Sequence, residues 1–243
     1  MTSASRPPSP RSSTGWSSRT GTRSVPPRAM TKRRRRKRSR GPGSQTMNRN
    51  DKNPELRSDV SLGPAIALLE LCSIARGVEV ADAILWESEI ELLTATPVQP
   101  GKYVMIFTGS VEDLESAMGR GVALAGGDLV DQLLIQNIDA QVELGLRREG
   151  HINGQIDALG VVETTTVASS ILSADAALKR ATVDLLELRI ANGLGGKSYY
   201  TLTGEVSDVR SSVEAGARVA EERGHLAREV VIPRPHPDLV RHL

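Results

Sequence analysis

Residues 65–93, AIALLELCSIARGVEVADAILWESEIELL, return 93 positions later as residues 158–186, ALGVVETTTVASSILSADAALKRATVDLL. In this register Ala65 matches Ala158, Glu70 matches Glu163 and Leu85 matches Leu178, while Ala81-Asp82-Ala83 recurs as Ala174-Asp175-Ala176 and Leu92-Leu93 as Leu185-Leu186. The offset then becomes 95, pairing Gly101-Lys102 with Gly196-Lys197, Thr108-Gly109 with Thr203-Gly204 and Asp113 with Asp208. It reaches 97 where Leu129 meets Leu226 and Ile135 meets Ile232. Each change of length falls between elements, where a backbone absorbs it. The chain therefore reads as two tandem copies of one small domain.

The first copy sets out the elements. Pro64 to Leu71 is a short apolar run and reads as a strand; Ser73 is placed to cap a helix over Ile74 to Trp86, which carries Ala, Val, Ile and Leu at helical spacing. Ile90–Val98 and Lys102–Phe107 flank the turn-forming Gln99-Pro100-Gly101 and read as an antiparallel pair. Ser110 or Asp113 starts a second helix that ends near Gly126-Gly127, and Leu129–Ile135 is a last strand. The order is β-α-β-β-α-β, repeated from Ala158 to Ile232, an α+β fold of the ferredoxin-like kind. A module of about 75 to 80 residues buries a modest core. Aromatic residues are 2% of the chain, and each buried Val or Leu contributes about 1.5–3 kcal/mol. Much of the stabilising area is therefore expected between modules and between chains.

The overall charge of +2 hides a division. Residues 1–53 hold 15 of the 31 basic residues and one acidic residue, Asp51, leaving 16 basic and 28 acidic residues behind them. The tail is thus +14 and the body −12. Rich in Ser, Arg, Pro and Gly, with the run Arg33 to Arg38, the tail lacks the apolar surface needed to offset ordering entropy and reads as disordered. It is either an electrostatic arm or an extension upstream of a true start at Met47; we favour the second. No stretch has the length and apolarity of a membrane span or a secretory core, which points to a cytosolic body. Cys72 is the single cysteine. Between Leu71 and Ile74 it is expected to be a buried thiol, away from the Gln99 turn.

With repeat, order and segments together, the chain resembles the bacterial microcompartment shell proteins, in particular the tandem-domain type that forms pseudohexameric trimers, as in propanediol-utilisation compartments. The resemblance rests on Ala65-Ile-Ala-Leu-Leu-Glu70 and Leu159-Gly-Val-Val-Glu163, the two Ala-Asp-Ala triplets, Gly109-Ser-Val-Glu-Asp113 with Gly204-Glu-Val-Ser-Asp208, and Ile232-Pro-Arg-Pro-His236. It implies shell domains over 62–142 and 156–240 and a homotrimeric tile with a central pore, packed with other shell proteins around enclosed enzymes in the bacterial cytoplasm. The pore would be walled by the turns Thr96-Pro97-Val98-Gln99-Pro100-Gly101 and Ala191-Asn192-Gly193-Leu194-Gly195-Gly196. Neither turn carries a charge before Lys102 or Lys197, so passage would depend on backbone dipoles, Gln99, Asn192 and diameter. Where the propanediol-utilisation relative has a cysteine that contributes to an iron–sulfur cluster shared by three chains, this chain has Gln99, which supplies no thiolate. No cofactor or metal is expected. The family's edge lysine and arginine are matched by Lys179 and Arg234, whereas the first module has Trp86 and Asn137 at those places.

Two other classes fit the sequence less well. For an enzyme, Glu70 and Glu163 at strand ends and the scattered His151, His225, His236 and His242 form no metal-ligand or catalytic spacing, and Gly195-Gly196-Lys197-Ser198 lacks the earlier glycine of a phosphate loop. It reads as a hairpin. For a trimeric regulatory or nucleic-acid-binding protein using its basic arm, Tyr103, Tyr199 and Tyr200 do not make the stacking pattern of RNA-binding sheets. Neither nucleic acid nor a membrane is expected as a partner.

Overall fold

The computed structural model describes Arg57, residues 65–147 and residues 156–242; the basic tail and the start at Met47 lie outside them. In the first module β1 (Ile66–Leu71), β2 (Glu91–Val98), β3 (Lys102–Thr108) and β4 (Leu129–Ile135) form an antiparallel sheet in the order β2-β3-β1-β4. Its helices are α1 (Ile74–Glu87) and α2 (Val111–Ala125), and α3 (Ala140–Arg147) leads onward. The second module repeats the plan with β5 (Ala158–Thr164), α4 (Val167–Leu178), β6 (Asp184–Ile190), β7 (Ser198–Gly204), α5 (Val206–Glu222) and β8 (Leu226–Pro233), in the order β6-β7-β5-β8. A last short helix, α6 (Pro237–Val240), follows.

Local chemistry explains where the helices begin. The Ser73 hydroxyl accepts the Arg76 N–H at 3.3 Å, Ser110 accepts that of Asp113 at 3.1 Å and Thr166 accepts that of Ser169 at 3.3 Å. Each satisfies one of the amides a helix start leaves open. Ser110, rather than Asp113, is therefore the cap, and Asp113 adds an acidic group to the first turn.

Strand β1 is buried along its whole length because both faces of its sheet are covered. Ala67, Leu69 and Leu71 pack with Val80, Ile84 and Leu114 beneath α1 and α2. Ile66 and Leu68, on the other face, join Val104, Ile106 and Leu133 in one core with Val167, Ile171 and Leu178 of α4. The two modules thus share a core.

Sequence reading missed α3 and α6, which are too short to show a period. In α3 the decisive residue is Gly145, where a Cβ would stand 2.7 Å from Leu185 Cδ2; glycine lets the helix lie directly on β6. The expectation for Cys72 is also corrected. It is exposed, because β1 ends at Leu71 and the next side chain leaves the sheet. It also lies at the same end of the sheet as the Gln99 turn, since Leu71 pairs with Tyr103, but its Sγ is directed to Asp128 Oδ1, 3.7 Å away on the β4 side. A water-soluble disulfide reagent is expected to modify one thiol per native chain at neutral pH; a thiol that reacts only after denaturation would contradict this placement.

Candidate pore turns and the junction between modules

The two hairpin turns meet. The first is Gln99–Gly101, closed by the Gly101 N–H donating to Val98 O at 2.9 Å, with Gly101 at φ 116°. Thr96, Pro97 and Val98 belong to β2 rather than to the turn. The second runs from Ala191 to Lys197 and places Ala191, Gly193, Gly195 and Gly196 at positive φ, a path that glycine follows without strain. Gly196 touches the first turn so closely that a Cβ there would lie 2.8 Å from Pro100 Cδ. Of the twelve expected lining residues, Val98, Ala191 and Gly196 are buried. Pro97, Gln99, Pro100, Gly101, Gly193 and Gly195 are exposed, with Thr96, Asn192 and Leu194 half-buried. One charge belongs beside the second turn after all: Arg189 of β6 brings Nη2 to 3.9 Å from where a Gly193 Cβ would be. The Gly-Gly-Lys-Ser string lies within this hairpin, and Lys197 pairs with Glu163 at 2.8 Å.

Beneath the turns a polar junction joins the modules. Lys102 Nζ donates to Glu70 Oε1 at 2.7 Å, to Thr165 O at 3.2 Å and to Gly196 O at 3.4 Å, while Glu70 Oε2 accepts the Val167 N–H at the start of α4 at 2.8 Å. Burial raises the Glu70 carboxyl above its ordinary pKa in spite of Lys102. Asp131 of β4 is buried as well. Burial alone would raise its pKa, but hydrogen bonds from the Thr166 and Ser169 hydroxyls and the Gln132 N–H, with the Arg223 charge, hold it below the usual carboxylate value. His225 Nε2 lies 3.7 Å from the same carboxylate. Sequence reading missed this network because its partners from different elements stand between 32 and 97 positions apart and match no motif.

Lys179 bridges the modules at the opposite end of α4, donating to Asn137 O and to Asp175 Oδ2 at 2.7 Å. Arg234 is exposed just beyond β8, at φ 49°, and its N–H donates to Asp157 O at 2.7 Å. The residues present do not suit an iron–sulfur cluster: Gln99 stands in the turn, and the single thiol is aimed at Asp128 on the opposite side of β1.

The BMC domain family matches this chain twice, over residues 65–138 and 158–235. The chain belongs to the bacterial microcompartment shell proteins. This shell protein is 38% identical to the shell protein PduT of Citrobacter freundii over 75% of its own length and 98% of that protein. A solved microcompartment protein from Desulfitobacterium hafniense DCB shares 45% identity with it at a TM-score of 0.63, covering 73% of this chain and 98% of that one. The shell protein PduA of Citrobacter freundii is 38% identical across 90 residues, 94% of its length but 37% of this chain. A stretch about as long as one module thus matches nearly all of that protein.

Proposed function

We propose that three copies close into a ring of six modules, a pseudohexameric homotrimer that tiles the shell of a microcompartment in the bacterial cytoplasm and leaves a narrow hole on its axis. The observation that carries this reading is the contact of the two hairpin turns through Gly196 and Pro100, which puts both modules' turns at one place, as a common axis requires. The exposed part of the turns, Gln99, Pro100, Gly101, Gly193 and Gly195, would wall the hole, with Thr96, Pro97, Asn192 and Leu194 behind. Backbone dipoles and diameter then select what passes. Lys179 and Arg234 are assigned to the tile edge, where other shell proteins pack, and the enclosed enzymes lie beneath. The chain acts as a wall and not as a catalyst, and needs no cofactor.

Native mass spectrometry with negative-stain imaging tests the ring. Three copies and a six-sided particle with a central stain-filled point are expected; a single-copy mass at micromolar concentration would end this reading.

A further inference from the structure

Among the described residues, the junction inside the chain has an uncovered counterpart on α1 and another on β8. On α4, Val167 and Ile171 are 0% exposed and Leu178 is 7% exposed, because they lie in the shared core. The residues at the same positions of α1 are Ile74, Val78 and Leu85, exposed at 43%, 54% and 45%. Likewise Leu133 of β4 is 3% exposed and Val230, its equivalent on β8, is 43% exposed. The first module thus lacks on α1 the kind of strand face that it lays on α4, and the second lacks on β8 the kind of helix that α4 lays on β4.

The polar groups correspond too, with one inversion. Cys72 N–H donates to Asp128 O and Thr165 N–H to His225 O, both at 2.9 Å, so Asp128 and His225 are equivalent positions. Asp131 pairs across the sheet with Glu70, and Arg228 pairs in the same register with Glu163. Inside the chain an acid on the strand, Asp131, meets bases from the module beside it, Arg223 and His225. At the open ends the strand offers a base, Arg228, and the helix side offers an acid, Asp128.

We infer that β8 of one copy docks on α1 of the next copy with Arg228 paired to Asp128, a charge-inverted repeat of the junction within the chain. The inference rests on the ring proposed above and names its contacts. Arg76 and Glu79 flank the docking point; Arg76 already pairs with Glu79 at 2.6 Å and approaches Asp128 at 3.5 Å. These three carry one surplus negative charge, which Arg228 neutralises. Glu163 would accept the Ile74 N–H as Glu70 accepts that of Val167, and Ile74, Val78 and Leu85 would bury against β8. The inversion also protects the chain's own junction. A foreign β8 competing for α4 would bring Arg228 against Arg223, and like charges repel it.

Single and double reversals decide the matter, because Arg228 is exposed, Asp128 is half-buried at the surface, and neither belongs to a module's own core. Asp128→Arg and Arg228→Asp should each raise the concentration at which rings dissociate by tenfold or more, and the double variant should recover most of that loss. Val78→Lys should leave a folded chain by circular dichroism that no longer forms rings. If wild-type rings form and the single reversals leave them unchanged, or the double is no better than either single, the Arg228–Asp128 pairing is wrong while the ring stands. A wild-type chain that stays single overturns the ring itself, and this contact with it.

Discussion

Gly216→Ala is expected to cost about 2–6 kcal/mol of stability, combining overpacking of about 1–3 kcal/mol with a broken buried hydrogen bond of about 1–3 kcal/mol. A Cβ at position 216 would stand 2.0 Å from the Tyr200 hydroxyl and 2.8 Å from Ser173 O. Tyr200 is fully buried in β7, and burial pushes its pKa well up, so the hydroxyl stays protonated. Its oxygen lies 2.7 Å from Ser173 Oγ, which in turn donates to Gly216 O at 2.8 Å. The methyl group therefore meets the centre of a hydrogen-bonded chain tying α4, β7 and α5 together. Gly121, the same position in the first module, is the control. A Cβ there would meet Leu69 Cδ1 at 2.4 Å, the end of a flexible side chain that can turn aside, so Gly121→Ala should cost about 1–2 kcal/mol. Denaturant midpoints measure both. Tyr200→Phe removes the obstructing hydroxyl and should recover part of the Gly216→Ala loss; no recovery in that double variant would contradict the mechanism.

This asymmetry between equal positions marks the boundary of what sequence could reveal. The repeat, the β-α-β-β-α-β order and the capping role of Ser73 were all legible, and the start of the second helix was narrowed to Ser110 or Asp113, since each depends on residues within a few positions of one another. The turns were legible as turns for the same reason. Their contact was not, because Gly196 and Pro100 meet only once two modules have folded. Burial of Ile66 and Leu68 on the far face of the first sheet likewise depends on α4, about a hundred residues later. Cys72 shows the converse error: apolar neighbours suggested an interior thiol, but the end of β1 turns it outward. The junction did leave a trace in the sequence. Asp131 and Arg228 occupy one repeat position with opposite charge, and so do Asp128 and His225 when the imidazole is protonated. A comparison of the two copies for what differs, as well as for what is shared, would have singled them out.

Lys102→Met is expected to produce the other large loss, about 3–5 kcal/mol near neutral pH, because it leaves a buried carboxylate without its cation. Glu70 is fully buried, and Lys102 is the neighbour that most offsets the cost of its burial. The α4 amide at Val167 remains as a partner, but one neutral donor does not replace an ammonium, and nearby Asp131 adds repulsion. The pH dependence has a definite sign. Burial already lifts the folded pKa of Glu70 above the ordinary 4.5, and losing Lys102 lifts it further. Between the unfolded and folded values the native chain holds a proton that the unfolded chain releases, so stability falls as pH rises through that window and the loss is complete above it. The gap between wild type and Lys102→Met should therefore narrow as pH drops toward 4.5 and widen toward neutrality, and Glu70→Gln should restore part of the variant's stability at pH 7. Lys197→Met is the comparison. Glu163 and Lys197 have side chains 36% and 51% exposed, so water screens the pair and its loss within one chain should stay below about 1 kcal/mol. Equal losses at the two lysines, or a gap for Lys102→Met that does not change with pH, would mean that burial of Glu70 is not what makes Lys102 matter.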